Sequence, residues 1–119
     1  MCSVLLVDDE PAVLYTLSEV LSERGHRVIS ARSGEEGLAK LEDADAVVTD
    51  LSMPGMDGLE LMGQIGQRDP ALPVILLTAH GSEKVAVAAM KQGAYDYVAK
   101  PFDIDEVALV IERAVEARA

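Results

Sequence analysis

Short apolar runs alternate with helical patterns five times along this chain of 119 residues, and this alternation limits the possible folds more than any other feature. The apolar runs fall at residues 3–7, 26–31, 44–49, 72–78 and 94–99. The helical patterns fall at residues 11–24, 33–42 and 82–92, with two more beginning at residues 57 and 103. Strands that alternate with helices predict a parallel sheet covered on both faces. We therefore expect an α/β fold, with one domain over residues 1–119.

The order of the strands can be predicted from the character of each run. The runs at 3–7, 44–49 and 72–78 are almost continuously apolar, which is typical of central strands buried on both faces. The runs at 26–31 and 94–99 alternate in character, which favours the two edges. With right-handed crossovers, these assignments give the order 2-1-3-4-5. This order is already known from other doubly wound sheets, so the predicted order also relies on that precedent.

The charge and the composition exclude several classes of protein. The formal net charge is −11, and so acidic a surface repels nucleic-acid phosphates, so we expect no direct binding to DNA or RNA. No basic segment precedes an apolar stretch, and no apolar run reaches about 18 residues, so neither secretion nor a membrane span is expected. The single cysteine excludes an internal disulfide and suits the reducing cytoplasm.

Carboxylates follow two strands that are expected to be neighbours in the sheet. Asp8, Asp9 and Glu10 follow the first strand, and Asp50 ends the third. Ligands of such sheets bind at the carboxyl ends of the strands, where the strand order reverses. Clustered like charges cost energy unless a cation compensates them, and oxygen donors suit Mg²⁺. One alternative stays open, in which Asp8 or Asp9 caps a helix that begins at Pro11.

A hydroxyl and an ammonium group are expected at the same edge of the sheet. The fourth strand ends at Thr78 and the fifth is followed by Lys100. Alone, the threonine would be an ordinary β-branched strand residue and the lysine an ordinary solvated one. Together with the carboxylates they suit transfer of a phosphoryl group to a carboxylate, because a metal and a lysine offset charge on the phosphoryl oxygens.

The motifs resemble those of the receiver domain of two-component response regulators. The matching segments are VDDE at 7–10, VVTDLSMPGMDG at 47–58, LTAHG at 77–81 and YVAKPFD at 97–103. The similarity extends over essentially the whole chain, and no motif residue is missing. It implies a flavodoxin-like fold and a signalling switch that is phosphorylated by a sensor histidine kinase. Such a switch would catalyse only its own phosphoryl transfer and dephosphorylation.

The resemblance assigns the acidic residues to acceptor and metal roles. Asp50 would be the phosphoacceptor. Asp9 would bind Mg²⁺ directly, Asp8 largely through water, and the backbone carbonyl of Ser52 would also face the metal.

The resemblance also assigns the residues that follow the fourth and fifth strands. Lys100 would pair with the phosphoryl group, and Pro101 would follow a cis peptide bond. Thr78 would be the switch hydroxyl and Tyr97 the switch aromatic residue. His80 and Ser52 would flank the route of the hydrolytic water, although His80 could instead be an ordinary loop residue.

The segments TAHG and DYVAKPFD are most similar to receivers of sigma-54-dependent transcriptional activators. Those regulators carry ATPase and DNA-binding domains after the receiver. The chain would therefore be either a stand-alone receiver or one excised from a larger regulator, with an effector that controls transcription.

Two other classes of protein share part of this pattern. A phosphatase of the haloacid-dehalogenase type also phosphorylates an aspartate, but its nucleophile belongs to an Asp-x-Asp motif, and Ser52 stands where the second carboxylate would be. A nucleotide-binding module would need a glycine-rich phosphate loop after the first strand, where this chain has Asp8, Asp9 and Glu10.

An apolar surplus on two helices predicts a surface for a partner. The pattern at 82–92 is apolar around most of its circumference, and Leu109 and Val110 lie outside the core stripe expected for the last helix. The strand that carries Tyr97 lies between these helices. We expect this surface to pair with a second copy or to dock an effector. The alternative is that small side chains are simply tolerated near solvent.

Overall fold

The computed structural model describes residues 2–79 and 81–118, and its strands form one parallel sheet. The strands are β1 (Ser3–Val7), β2 (Arg27–Ala31), β3 (Ala46–Asp50), β4 (Val74–Thr78) and β5 (Asp96–Ala99). The helices are α1 (Pro11–Glu23), α2 (Gly34–Ala39), α3 (Gly58–Arg68), α4 (Glu83–Lys91) and α5 (Ile104–Arg118). The predicted α/β class is confirmed.

The strands lie in the order β2-β1-β3-β4-β5, as predicted, and all neighbouring pairs are parallel. Every residue of β3 and β4 is buried, whereas most residues of β2 and β5 are only partly buried or exposed. The two sequence runs that alternate in character form the edge strands β2 and β5. Each of these strands has a neighbour on one side only, so part of it stays exposed.

Alternate side chains of β1 point into two separate cores. Val4 and Leu6 pack with α1 and α5, while Leu5 and Val7 pack on the opposite face with α2, α3 and α4. The fully buried residues that the helices contribute include Leu17, Leu21, Leu61, Ile65 and Ile111. Since burial of each such side chain is worth about 1.5–3 kcal/mol, both faces hold the sheet rigidly beneath its loops.

The second helix is shorter than predicted. It ends at Ala39 and is followed by a 3₁₀ turn over Leu41–Asp43, whereas the sequence pattern predicted helix as far as residue 42. The turn buries Leu41 and is closed by the Ala44 amide, which donates to the Leu41 carbonyl at 3.0 Å. Burial of this leucine under the sheet therefore overrides the continuation of the helical pattern.

The assignment of Val110 to a leftover apolar surface is wrong. Val110 is 8% exposed and belongs to the core shared by α1 and α5, so α5 presents a wider buried stripe than predicted. Leu109 is 45% exposed, as expected for a residue outside that stripe.

None of the helices in residues 2–79 and 81–118 has both the length and the apolar character needed to cross a membrane.

Candidate functional site

The sheet register brings the predicted acidic residues together. Val7 pairs with Thr49 at the carboxyl ends of β1 and β3, so the next residues along the two strands, Asp8 and Asp50, lie side by side. Asp8, Asp9 and Asp50 each offer a carboxylate oxygen, and the three oxygens lie within 4.8 Å of one another. The predicted cluster therefore forms, from two distant parts of the chain.

Asp8 is almost completely buried, and only one of its oxygens is hydrogen-bonded. The residue is 1% exposed, and its Oδ1 accepts a hydrogen bond from the Glu10 amide at 2.9 Å. Its Oδ2 has no hydrogen-bond partner within the described part of the chain. Burial is the main cause that raises the pKa of Asp8 to about 6, and the neighbouring Asp50 charge adds to it.

Asp50 is also buried, and it faces the ammonium group of Lys100. It is 5% exposed, and the Lys100 ammonium Nζ lies 3.6 Å from its Oδ2. Its Oδ1 accepts a long hydrogen bond of 3.4 Å from the Ser52 amide. Burial raises the pKa of Asp50, while the charge of Lys100 and the Ser52 amide oppose that rise. The carboxylate thus retains lone pairs that the fold does not satisfy.

These residues fit a hard divalent cation. The donors are all carboxylate oxygens, and the buried Oδ2 of Asp8 lacks a hydrogen bond, so a cation would satisfy an atom that is otherwise costly to bury. The helix-cap alternative is not supported, because Glu10 occupies the N-cap of α1 without a side-chain cap bond. Asp8 accepts from the amide of that N-cap residue and so shapes the turn before α1.

Lys100 lies at the centre of the negative charges. Its Nζ is 4.0 Å from Asp8 Oδ2 and 4.0 Å from Glu10 Oε1, in addition to its contact with Asp50. Its amide donates to the Thr78 carbonyl at 2.7 Å, and the bond to Pro101 is cis, as the resemblance implied. The contact with Glu10 was not predicted, although three consecutive acidic residues after β1 signal that a third carboxylate is near.

Thr78 ends β4, the strand next to that of Asp50, and Tyr97 lies on β5, one strand further across the sheet. Asp50 pairs with Leu77 in the register, so Thr78 is the next residue along β4. Its hydroxyl is completely buried and has no hydrogen-bond partner among the residues that the structure describes. Tyr97 of β5 is half-buried and pairs with Leu76 of β4. The predicted hydroxyl therefore lies buried at the site with its bonding capacity unused.

The helix that follows β3 begins at a position whose role was not predicted from the sequence. Gly58 begins α3 directly against the end of β3, and a Cβ at this position would lie 2.5 Å from the Asp50 carbonyl oxygen and 2.8 Å from Leu51 Cα. Only glycine permits so close an approach of the two backbones.

The two residues expected beside the route of the hydrolytic water are Ser52 and His80. Ser52, in the loop between β3 and α3, is exposed, whereas His80 lies outside the described residues.

Comparisons with known proteins agree with this geometry. The family profile described as the response regulator receiver domain matches residues 4–112. The DNA-binding transcriptional regulator NtrC of Salmonella typhimurium is 46% identical over 114 residues, which cover 94% of this chain and 24% of that protein. The C4-dicarboxylate transport transcriptional regulatory protein DctD of Rhizobium meliloti is 43% identical over 118 residues, or 98% of this chain and 26% of that protein.

Solved structures show the same fold. A response regulator receiver domain protein from Clostridium thermocellum superposes with a TM-score of 0.94 at 32% identity, covering 99% of this chain and 97% of that one. NtrX from Brucella abortus, in complex with ADP, gives a TM-score of 0.93 at 36% identity over 98% of this chain and 27% of its own. The chain spans about a quarter of the length of the curated relatives that it matches.

The family match also decides between the two phosphoaspartate interpretations. It covers most of the chain and includes every site residue from Asp8 to Lys100, whereas nothing in the comparisons favours a haloacid-dehalogenase phosphatase. The resemblance predicted from the sequence motifs is confirmed: the chain belongs to the response regulator receiver family, the phosphorylation-dependent switches of two-component signalling.

Proposed function

We propose that Asp50 accepts a phosphoryl group and that Asp8, Asp9, Asp50 and the carbonyl of Ser52 hold Mg²⁺ beside it. The observation that carries this proposal is the 3.6 Å approach of the Lys100 ammonium to Asp50 within a cluster of buried carboxylates. Without a ligand, such a cluster costs desolvation and repulsion. The pocket therefore has the charge and the unsatisfied oxygens that a cation and a phosphoryl group together would balance.

The proposed transfer uses each residue for a separate task. An oxygen of Asp50 attacks phosphorus, and the bond from phosphorus to the donor nitrogen of a phosphohistidine breaks. Lys100 is close enough to turn from Asp50 toward a phosphoryl oxygen and offset its charge. When bound, Mg²⁺ supplies further neutralisation of the phosphoryl oxygens. The domain thus catalyses only its own phosphorylation and hydrolysis.

The donor, a cognate sensor histidine kinase, must bring its phosphorus to Asp50. A groove of about 380 Å³ lies beside Lys100, between α1 and the segment that joins β5 to α5. Its lining includes the apolar side chains of Val13, Leu17 and Phe102. We infer that the kinase docks here because the groove is apolar and adjoins the acceptor.

The unsatisfied hydroxyl of Thr78 supports a switching role. A phosphoryl oxygen on Asp50 would offer this hydroxyl the hydrogen bond that it lacks. The side chain of Tyr97, which is half-buried on the adjacent strand, would turn inward as Thr78 moves. A preference of a few kcal/mol for one of two existing states is enough to shift the population.

The switched surface is expected on α4, β5 and α5. Val85 and Val87 of α4 are 43% and 45% exposed, and Leu109 of α5 is 45% exposed. We propose that this face pairs with a second copy or docks an effector, and that the output is transcription, as the names of the curated relatives suggest. With a net charge of −11, the receiver itself would not contact nucleic acid.

The acceptor is tested by incubating the protein with acetyl phosphate and Mg²⁺ and measuring its intact mass. We expect a labile gain of one phosphate that requires Mg²⁺ and is lost in Asp50→Asn. Asp57→Asn is a matched control, because Asp57 caps α3 through the Glu60 amide at 2.9 Å and asparagine caps equally well. Labelling that persists in Asp50→Asn would overturn the assignment.

A further inference from the structure

A second cluster of ionisable side chains lies at the opposite end of the sheet from Asp50. Cys2 immediately precedes β1, His26 immediately precedes β2, and both are buried, with exposed fractions of 7% and 9%. Glu112 of α5 reaches them from the helix layer, and Arg24 after α1 completes the group. The phosphoryl site uses none of these residues.

The contacts of His26 determine which ring nitrogen carries the proton. The Cys2 amide donates to His26 Nδ1 at 3.3 Å, so Nδ1 must be an acceptor. The other nitrogen, Nε2, therefore bears the hydrogen and donates to Glu112 Oε2 at 2.7 Å. The Cys2 thiol Sγ lies 3.4 Å from the same acceptor nitrogen, Nδ1. A basic nitrogen is thus aimed at the only thiol of the chain.

Glu112 is held as a carboxylate behind the imidazole. Arg24 donates to it twice, from Nε at 2.9 Å and from a terminal guanidinium nitrogen at 2.7 Å. Arg24 first and His26 second lower the pKa of Glu112 to about 2. A carboxylate in this position orients the ring and stabilises the imidazolium that forms when Nδ1 takes a proton. Cys2, His26 and Glu112 therefore stand in the order of a nucleophile, a base and an orienting acid.

We propose that Cys2 is an oxidation site for a small hydroperoxide, with His26 as the base. The thiol proton passes to His26 Nδ1 as Sγ attacks the terminal peroxide oxygen. An S–O bond forms, the O–O bond breaks, and the departing oxygen takes the proton from His26. With hydrogen peroxide, the products are cysteine sulfenic acid and water. Sulfur loses two electrons and the peroxide gains them.

The surroundings of the thiol explain why a base is needed and why the oxidant must be small. Burial raises the pKa of Cys2, and the charges of Asp45 and Glu112 raise it further. The resting group is therefore a thiol, which becomes nucleophilic only as its proton leaves. Because the residue is only 7% exposed, a reagent close to the size of water is favoured over a bulky disulfide.

The test is the rate at which hydrogen peroxide oxidises the folded protein at neutral pH. Sulfenic acid is trapped with dimedone, which ignores the five methionines, and Cys2→Ser defines the background. We expect the folded protein to react at least about tenfold faster than the same chain in urea, because a positioned base accelerates proton transfer. His26→Asn should remove that advantage.

Glu112 is a positioning residue, and its test includes a conservative rescue. Glu112→Gln should slow oxidation severalfold, and Glu112→Asp should restore part of the rate. Glu116→Gln, an exposed change one turn further along α5, should leave the rate unchanged.

Two results would overturn the proposal. If His26 only shields the thiol, His26→Asn will oxidise at the same rate or faster than the wild type. If His26→Asn does not fold, the comparison of folded with urea-unfolded wild type still decides, because a folded thiol that reacts no faster than the unfolded one is not activated.

Discussion

Lys100 Nζ lies 3.6 Å from Asp50 Oδ2 but also 4.0 Å from Asp8 Oδ2, so one ammonium group is shared between the proposed acceptor and its buried neighbour. The ammonium is at the upper limit of an ion pair with Asp8 and makes no close contact with it. One positive charge therefore faces several negative ones, and the site keeps an excess of negative charge in which a second cation can bind.

This shared position predicts opposite effects for Lys100→Met. The substitution removes a charge that competes with the metal, so Mg²⁺ should bind severalfold more tightly. It also removes the group that we propose offsets phosphoryl charge, so labelling by acetyl phosphate should slow by about tenfold or more. Calorimetry and intact-mass kinetics measure the two effects, with the exposed Lys84→Met as a control. Weaker Mg²⁺ binding in Lys100→Met would show that the lysine does not compete with the cation.

Asp9 is expected to stabilise the metal-bound domain and destabilise the metal-free one. Its carboxylate belongs to the cluster, and its charge is one of the causes that raise the pKa of Asp50. Asp9→Asn should therefore raise the free energy of unfolding in metal-free buffer by about 0.5–1 kcal/mol, and should weaken Mg²⁺ binding.

Thermal unfolding with and without Mg²⁺ measures both effects of Asp9→Asn. The exposed Asp43→Asn serves as a control, since Asp43 lies in the 3₁₀ turn of residues 41–43, outside the carboxylate cluster. If Mg²⁺ raised the Tm of the wild type and of Asp9→Asn equally, the cation would bind elsewhere.

Gly58 should not tolerate a methyl group. In Gly58→Ala the new Cβ would overlap the Asp50 carbonyl oxygen at 2.5 Å, and backbone cannot move aside cheaply. We expect a loss of about 1–3 kcal/mol of stability, together with slower phosphorylation because β3, which carries the proposed acceptor, shifts. Gly63→Ala on the same helix meets nothing within 4 Å and should instead stabilise by about 0.5–1 kcal/mol. Urea unfolding compares them, and equal effects would contradict the proposed overlap.

The site was predictable because topology, rather than side-chain packing, brings it together. Once the sheet is parallel, Asp8, Asp50, Thr78 and Lys100 must share one edge, since each lies at or just after the carboxyl end of a strand. The sequence pattern therefore contained the acidic cluster, the lysine and the hydroxyl. It did not contain the degree of burial, which leaves the second oxygen of Asp8 without a hydrogen bond.

The contacts between helices could not be predicted in the same way. Whether Val110 faces the core or solvent depends on how α5 is rotated against α1, and the spacing of apolar residues fixes that rotation only roughly. The contact of Glu112 with His26 depends on the same rotation. Glu112 and His26 do not stand out in the sequence, because each lies in a pattern typical of its own helix or strand.

Glu112 should make a small contribution to stability that disappears in acid. Its pKa is about 2 in the folded protein but near the ordinary value of about 4.3 in the unfolded chain. A carboxylate whose pKa is lower in the folded protein contributes its full stabilisation when the pH is above the pKa of the unfolded chain. That stabilisation is lost as the pH falls from about 5 to about 2. Because the side chain is 32% exposed, solvent screening keeps the contribution modest.

Urea unfolding of the wild type and Glu112→Gln at several pH values between about 5 and about 2 tests this titration. The wild type should be the more stable protein near pH 5, and the difference should shrink steadily as the pH falls toward 2. Glu116→Gln should show no such trend. A difference that stays constant across the range would mean that Glu112 does not titrate with a depressed pKa.

The last prediction concerns the apolar surface of α4 and α5. A beryllofluoride mimic at Asp50 should stabilise the switched state, and an apolar face that repacks around Tyr97 should then pair with a second copy. Sedimentation should show stronger self-association with beryllofluoride. Val85→Asp and Leu109→Asp should each weaken it, because a charge would be buried at the contact. Tyr15→Asp, a change at a residue of α1 that is 66% exposed, should have no effect. An unchanged monomer with and without beryllofluoride would exclude self-pairing and leave effector docking as the use of this surface.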